Sequence, residues 1–162
     1  MRTAYLSLGS NLGDREPNLR HAIELLAPPE ILVKRVSSLY ETEPQDLRIQ
    51  PWFLNLAIEI ETTLFPMQLL GRIEKIEREM GRQRIVAKGP RIIDIDIILF
   101  GNVVIDTPRL KVPHPRMIDR RFVLEPLAEI SPDLRHPILR RTMRELLAAV
   151  AGQVVRKLHR EW

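Results

Sequence analysis

The hydrophobic pattern of the chain changes period several times. From Phe53 to Glu61, apolar and polar positions alternate, which predicts a half-buried strand. From Pro66, apolar residues recur every three or four positions and predict a helix that stops at Gly81, with Glu77 off its buried stripe. The run from Ile92 to Phe100 is rich in β-branched residues and predicts a central strand.

Further segments extend this pattern on both sides. The order strand, helix, strand, strand, helix, strand predicts an α+β fold with a ferredoxin-like βαββαβ core, in which helices cover one face of an antiparallel sheet, plus C-terminal helical additions. We expect one domain over residues 1–162. The remaining predicted elements are a strand at residues 3–8, a helix from Asp14 to about Leu26, a strand from Ile31 to Tyr40, helices near Arg121 to Ile130 and Thr142 to Ala151, and a last strand at Gln153 to Leu158.

Composition narrows the classes of function. The chain has no cysteine, which excludes disulfides and thiolate metal sites and leaves carboxylate and imidazole ligands. It has no apolar run of about 18 residues, and residues 1–5 lack an apolar signal core, so we expect a cytoplasmic protein with no membrane partner. A net charge of +4 and 5% aromatic residues argue against a nucleic-acid partner.

Two carboxylates interrupt the predicted central strand. Asp94 and Asp96 are two residues apart, so both project from one face while the flanking isoleucines enter the other. Adjacent carboxylates repel unless a positive charge lies between them. A divalent cation or a pair of structural salt bridges would meet this need, and oxygen ligands favour Mg²⁺ or Ca²⁺ over other metals.

Arginines surround the acidic pair in the sequence. Arg91 begins the same strand, and Arg82 and Arg84 lie in the loop before it. Carboxylates, a metal ion and guanidinium groups together suit a polyphosphate, because Mg²⁺ bridges phosphate and carboxylate oxygens while arginine binds further phosphate oxygens in a bidentate manner. The sequence therefore predicts a Mg²⁺–nucleotide site on this strand.

Two other motifs are open to more than one interpretation. The glycine turn at residues 9–13 lacks the Gly-Lys-Ser/Thr ending of a phosphate-binding P-loop, which favours a structural role. His114 is held between Pro113 and Pro115 close to Arg116 and Arg120. A single histidine in such a loop is a packing or capping residue more often than a catalyst, and spacing alone favours the former.

Six short motifs occur in a fixed order, and together they closely resemble the 6-hydroxymethyl-7,8-dihydropterin pyrophosphokinase family of folate biosynthesis. The resemblance runs from about Ala4 to Leu158, and its most specific part is the Gly-Pro-Arg-x-x-Asp-x-Asp block. The motifs are Gly9-Ser10-Asn11-Leu12-Gly13, Tyr40-x-Thr42-x-Pro44, Phe53-Leu54-Asn55, Gly81-Arg82-x-Arg84, Gly89-Pro90-Arg91-x-x-Asp94-x-Asp96 and Val112-Pro113-His114.

The resemblance implies transfer of pyrophosphate from ATP to the hydroxymethyl group of the pterin, with release of AMP, by a monomeric enzyme that uses two Mg²⁺ ions. It also implies roles for individual residues. The implied metal ligands are Asp94 and Asp96, and the implied catalytic residues are these two with Arg82, Arg84 and Arg91. The implied ATP-binding residues are Glu77, Arg82, Arg84, Arg91, Lys111, His114 and Arg120. The implied pterin-binding residues are Thr42, Pro44, Phe53, Asn55 and Phe122.

The sequence departs from the family pattern in three places and leaves two alternative functions to weigh. The departures are Gln45-Asp46 after the proline of the pterin loop, Ala87-Lys88 where an aromatic residue is usual, and Pro115 after the histidine. An RNA-recognition module shares the strand and helix order, but it would carry aromatic residues where Asp94 and Asp96 stand. A non-catalytic metal-binding regulator would not need Phe53, Asn55 and Phe122.

Overall fold

A computed structural model describes residues 1–44, 49–81, 90–150 and 152–158. Within these ranges the elements alternate in the predicted order, with short additions after residue 100. The strands are β1 (Arg2–Ser10), β2 (Ile31–Val36), β3 (Leu39–Thr42), β4 (Phe53–Thr62), β5 (Asp94–Phe100), β6 (Ile105–Asp106), β7 (Lys111–Val112) and β8 (Val155–Leu158). The helices are α1 (Arg15–Leu25), α2 (Pro66–Glu79), α3 (Arg121–Ile130) and α4 (Met143–Ala149), with a 3₁₀ turn at Met117–Asp119.

The main sheet is antiparallel, and β1 lies inside it. The strand order is β5-β1-β4-β3-β8, and β2 pairs with the other end of β4. Strands β6 and β7 form a separate two-stranded sheet. The strand with the two aspartates, β5, is therefore an edge strand of the main sheet and not a central one. Strand β1 places Gly9 next to Asp94 of β5, and β4 places Asn55 on the other side of Gly9.

Helices cover both faces of this sheet. The sequence predicted the core helices on one face, and α1 and α2 do share a face, but it assigned no face to the C-terminal helices. The alternating residues of β4 explain why both faces need cover. Leu56 and its even-numbered neighbours pack with α1 and α2, while Ala57 packs in a second cluster with Leu124 of α3 and Met143 of α4. The predicted C-terminal additions thus form the second apolar layer, because Ile98 and Leu99 of β5 also need burial on that side.

The segment predicted as one strand from Ile31 to Tyr40 consists of two strands. Residues 37 and 38 interrupt it, and their hydrogen bonds explain the break. The Ser37 Oγ accepts the N–H of Ala57 at 2.9 Å, and Ser38 donates its Oγ–H to the Glu129 carboxylate at 2.8 Å. Because both serines use side chains as partners, the strand is interrupted while both halves still pair with β4.

Other boundaries differ by a few residues. Helix α3 begins and ends where the sequence predicted, whereas β5 begins at Asp94, two residues late, and α4 is shorter than predicted. The last predicted strand is confirmed as β8, which pairs with β3 along its full length. In the described ranges, none of the helices combines the length and the apolar character needed to cross a membrane.

Candidate active site

One cavity lies where the ends of β1, β3, β4 and β5 meet the start of α3. It brings together eight of the residues singled out in the sequence, and we divide these by charge. Thr42, Phe53, Asn55 and Phe122 form the neutral half, and Arg91, Asp94, Asp96 and Arg120 form the charged half. The cavity is completed by Ser7, Gly9, Glu43, Gln50 and Arg116.

Gly9, near the end of β1, lies between the neutral half and the charged half of the cavity. In the sheet it pairs with Asn55 on one side and with Asp94 on the other. A Cβ atom on residue 9 would lie 2.6 Å from the Asn55 Nδ2 and 3.4 Å from the Phe53 ring. Any side chain here would displace Asn55, so the close packing of Asn55 and Phe53 against β1 requires glycine at this position.

The neutral half has a fixed hydrogen-bond orientation. The Thr42 hydroxyl donates to the Asn55 Oδ1 at 2.5 Å, and both residues are buried. Since the Oδ1 is engaged by Thr42, the Asn55 amide directs its Nδ2 donors towards Gly9 and the cavity. Phe53 and Phe122 are half-buried and contribute ring surface to the same cavity. This half suits a flat polar heterocycle.

In the charged half, the predicted alternation of β5 is confirmed. Asp94 and Asp96 both line the cavity, and the intervening Ile95 enters the opposite core. The Arg91 Nη1 donates to the Asp94 Oδ2 at 2.9 Å, so Asp94 does form the kind of ion pair that was one alternative for this carboxylate. The buried Arg91 Nε has no hydrogen-bond partner among the described residues, which leaves one donor available to a ligand.

The donor set of the charged half fits a magnesium ion. In the part of the chain that the structure describes, no three His, Cys, Asp or Glu side chains converge to form a complete protein cage. Two carboxylates beside arginines are instead the arrangement in which Mg²⁺ takes its remaining ligands from water and phosphate oxygens. Asp94 and Asp96 are therefore the residues that could hold such an ion.

The glycine turn at residues 9–13 has a structural role through Asn11, whose side chain is buried. The Asn11 Oδ1 accepts the Arg91 N–H at 2.7 Å, while its Nδ2 donates to the Gln50 Oε1 at 2.9 Å and to the Pro51 carbonyl at 3.0 Å. One amide thus ties Arg91, in the charged half, to the loop that precedes Phe53 in the neutral half.

His114 lies beside the cavity and is held as a neutral imidazole. Its Nδ1 accepts the Arg116 backbone N–H at 3.2 Å, which places the ring proton on Nε2. Burial, followed by the charges of Arg120 and Arg116, lowers the pKa of His114 to about 4, while Asp94 opposes this shift. His114 is thus a neutral donor at pH 7, and it lines a neighbouring groove together with Lys111 and Pro115.

Glu77 departs from the position that the helical pattern predicted for it. It is 8% exposed, and its Oε2 accepts the N–H of Ile95 at 3.2 Å. The reason is that β5 is an edge strand, whose outward N–H groups need partners from outside the sheet. Glu77 does not line the cavity, and neither does the buried Pro44.

Several predictions fall on residues outside the described ranges. These are the roles of Arg82 and Arg84 and the departures at Gln45-Asp46 and Ala87-Lys88. Sequence reasoning also missed cavity residues that lie close to the predicted ones. Ser7 pairs with Asp96 across the sheet, so its place could have been found only by knowing the strand register. Arg116 and Gln50 flank predicted site residues, and Arg116 belongs to a cluster of arginines in the sequence.

Arg120 connects the two halves of the cavity. Its guanidinium carbon lies 5.4 Å from the centre of the Phe122 ring, within the range of a cation–π contact. Comparison with known families places the chain among known proteins. The model of the 7,8-dihydro-6-hydroxymethylpterin-pyrophosphokinase (HPPK) family matches residues 5–132.

The chain belongs to the HPPK family.

Curated relatives and solved structures agree with this assignment. A Bacillus subtilis protein named 2-amino-4-hydroxy-6-hydroxymethyldihydropteridine pyrophosphokinase is 53% identical over 128 residues, which are 78% of this chain and 77% of that protein. The folic acid synthesis protein fol1 of Pneumocystis carinii is 46% identical over 134 residues, 83% of this chain but only 18% of the relative. A crystal structure of Plasmodium falciparum HPPK-DHPS with pteroate has a TM-score of 0.74 at 18% identity, over 91% of this chain and 42% of that chain, and this likeness shows the shared fold.

Proposed function

We propose that this HPPK-family chain transfers pyrophosphate from ATP to the hydroxymethyl group of 6-hydroxymethyl-7,8-dihydropterin, giving AMP and the pterin pyrophosphate for tetrahydrofolate synthesis. The observation that carries the proposal is that one cavity is lined by the neutral half and the charged half, with Gly9 of β1 paired to Asn55 on one side and to Asp94 on the other. This arrangement holds two different ligands next to each other, which is what a direct transfer between them needs.

In this proposal the pterin occupies the neutral half. Phe53 and Phe122 contact the flat faces of the ring, and the Nδ2 of Asn55 donates a hydrogen bond to its polar edge. The bond from Thr42 fixes the Asn55 amide before the substrate arrives, so little ordering is needed on binding. The hydroxymethyl group then points towards the charged half.

ATP occupies the charged half and the groove beside it. The pterin hydroxyl attacks the β-phosphorus in line and loses its proton to solvent, so that a bond forms between its oxygen and that phosphorus. The bond between the β-phosphorus and the α–β bridging oxygen breaks, and AMP leaves with that oxygen. Arg91 and Arg120 contribute positive charge beside the transferred group, and His114 and Lys111 contact the nucleotide from the neighbouring groove. We also assign Arg82, Arg84 and Glu77 to the nucleotide, on the family resemblance.

We further propose that Asp94 and Asp96 hold Mg²⁺, with two ions bound when ATP is present. When bound, the metal neutralises phosphate charge and aligns the phosphate oxygens. The chain's own part is to keep the two carboxylates on one face of β5 and to hold Asp94 in place through Arg91. Oxygen-only ligands and the absence of a third acidic or histidine ligand in the described residues support Mg²⁺ over a transition metal.

The proposal also includes properties of the whole chain. The sheet order β5-β1-β4-β2 supports a ferredoxin-like core, to which α3, α4 and β8 are additions. We propose that residues 1–162 act as one domain in a monomeric, cytoplasmic enzyme, on the family resemblance. Sedimentation of the purified chain tests the monomer.

The decisive experiment is an AMP-release assay with ATP and 6-hydroxymethyl-7,8-dihydropterin, run with Mg²⁺ and with excess EDTA. We expect AMP to form only when ATP, the pterin and Mg²⁺ are all present, together with an equal amount of pterin pyrophosphate. ADP as the product would indicate transfer of a single phosphoryl group and would refute the proposal. AMP release without the pterin would indicate a hydrolase instead.

A further inference from the structure

The C-terminal segment 152–158 reaches the back of the neutral half through a single buried side chain. Gln153 is 7% exposed and lies just before β8. Its Oε1 accepts the backbone N–H of Phe122 at 3.2 Å, and its Nε2 donates to the Glu43 carbonyl at 3.3 Å. One amide therefore joins the residue after Thr42 to Phe122, and both Glu43 and Phe122 line the cavity.

The position of Phe122 explains why this bond matters. Phe122 is in the first turn of α3, where backbone N–H groups have no partner within the helix. Arg120, at the N-cap, makes no side-chain hydrogen bond to the helix. Gln153 takes the place of a capping residue, although it is 31 residues away in sequence.

Neighbouring backbone contacts keep Gln153 in place. Val154 donates its N–H to the Glu43 carboxylate at 3.0 Å, and the Glu43 N–H donates to the Val154 carbonyl at 3.3 Å. The Gln153 carbonyl accepts from the Arg121 Nη1 at 3.3 Å. The Gln153 side-chain amide thus links Glu43 to the start of α3, and the backbone of residues 153–154 contacts the same two segments.

We propose that Gln153 is a positioning residue for the pterin, because its amide sets Phe122 against the β3 wall of the neutral half. The inference rests on the proposed function and adds to it a residue outside the segment 5–132 that matches the family model. The C-terminal segment then contributes to substrate affinity as well as to the sheet.

Three variants test this role. Gln153→Met keeps the length of the side chain but loses both hydrogen bonds, and Gln153→Glu keeps an acceptor for the Phe122 N–H but loses the donor to Glu43. Val154→Ala is the control, because the Val154 side chain is 45% exposed and its backbone bonds to Glu43 remain. The measurements are kcat, the KM values for both substrates, the unfolding midpoint, and the hydrogen-exchange rate of the Phe122 amide in the ligand-free protein.

For Gln153→Met we expect the Phe122 amide to exchange about tenfold faster and the pterin KM to rise about tenfold, because the amide loses its partner. The ATP KM and kcat should stay within about twofold, since the charged half is untouched. Gln153→Glu should retain Phe122 protection and have an intermediate pterin KM. Val154→Ala should match the wild type.

Two results would overturn the inference. One is an unchanged pterin KM or an unchanged Phe122 exchange rate in Gln153→Met. The other is a parallel change in both KM values and the unfolding midpoint, which would mean a purely structural role. If the wild-type chain itself releases no AMP with the pterin, the proposed function fails, and the exchange rates in the ligand-free variants still decide whether Gln153 positions Phe122.

Discussion

The neutral and charged halves of the cavity are built on strands that lie on opposite sides of β1, and they are formed by different physical means. In the neutral half, buried amides and hydroxyls have their partners already, as Thr42 does with Asn55, and the shape is set before any ligand binds. In the charged half, opposite charges are held close together, as Arg91 and Asp94 are, and the Arg91 Nε has no acceptor within the described residues. We therefore expect the neutral half to recognise its ligand by shape and the charged half to bind its ligand by charge.

This difference makes the two halves separable by mutation. A change of volume should damage the neutral half and leave nucleotide binding intact. A change of charge should damage the charged half and leave pterin binding intact. A variant that impaired both equally would mean that the cavity works as one unit.

The largest effect is expected from Asp94→Ala. Removal of this carboxylate leaves Arg91 without its ion-pair partner and removes a proposed metal ligand, so kcat/KM should fall at least about 10³-fold. Steady-state AMP release measures the loss, and calorimetry should find pterin affinity within about threefold of wild type. The matched control is Asp133→Ala, since Asp133 is an exposed partner of Arg144 away from the cavity. Undiminished turnover in Asp94→Ala would refute the metal assignment.

The next effect is expected from Phe122→Ala, which removes ring surface from the neutral half. Pterin affinity should fall by about 30- to 100-fold, as for other buried aromatic contacts, while the affinity for a non-hydrolysable ATP analogue stays near wild type. Calorimetric titration with each ligand separates the two. Phe65→Ala is a suitable control, because Phe65 is 60% exposed at the start of α2. A loss of nucleotide affinity alone would contradict the division into halves.

A smaller effect is expected from Gly9→Ala, compared with Gly71→Ala. The added Cβ would meet the Asn55 Nδ2 at 2.6 Å, so we expect about a tenfold loss of pterin affinity as that amide shifts. Nothing lies within 4 Å of the corresponding atom at Gly71, which is inside α2, and alanine there should raise stability by about 1 kcal/mol without affecting binding. Equal pterin affinity in the two variants would contradict the conclusion that Gly9 keeps Asn55 in position for the pterin.

The smallest effect concerns the pH dependence of stability. The pKa of His114 is lowered to about 4 in the folded chain and returns to about 6.5 on unfolding, so between these values the unfolded chain binds more protons. The contribution of His114 to stability is therefore present above about pH 6.5 and is lost as the pH falls towards 4. Urea unfolding of wild type and His114→Gln from pH 4 to 7 should find a shallower pH dependence in the variant. An NMR titration that placed this imidazole near 6.5 would contradict the prediction.

Sequence patterns predicted the elements of the core because local chemistry fixes them. Strict alternation over β4 divided its residues correctly between the two faces, and the spacing of Asp94 and Asp96 on β5 put both carboxylates on one side. The helical stripe of α2 was correct for Leu69 and Ile73. These predictions depend only on side-chain period, which a single strand or helix expresses without its neighbours.

Other features failed because they depend on contacts between distant segments. Glu77 is polar and lies off the apolar stripe, yet it is buried because an edge strand needs an acceptor for its outward N–H groups. The break at residues 37–38 depends on Glu129, 91 residues away. The sequence assigned no face to α3 and α4, and their position on the second face depends on how they fold back. The residue pattern alone left the role of Asp94 open, and its ion pair with Arg91 became visible only in the folded site.

The sequence by itself determined the order of the elements, the shared face of the two aspartates and, through its motifs, membership of the HPPK family. Each depends on residues that are close together in the chain. Tertiary structure alone decided that Gly9 separates the two halves, that Asn11 ties them together and that Gln153 supports Phe122 from behind. These contacts join segments that are distant in sequence, such as Asn11 and Arg91, which are 80 residues apart. Their partners are therefore chosen by strand register and burial, which no local pattern contains.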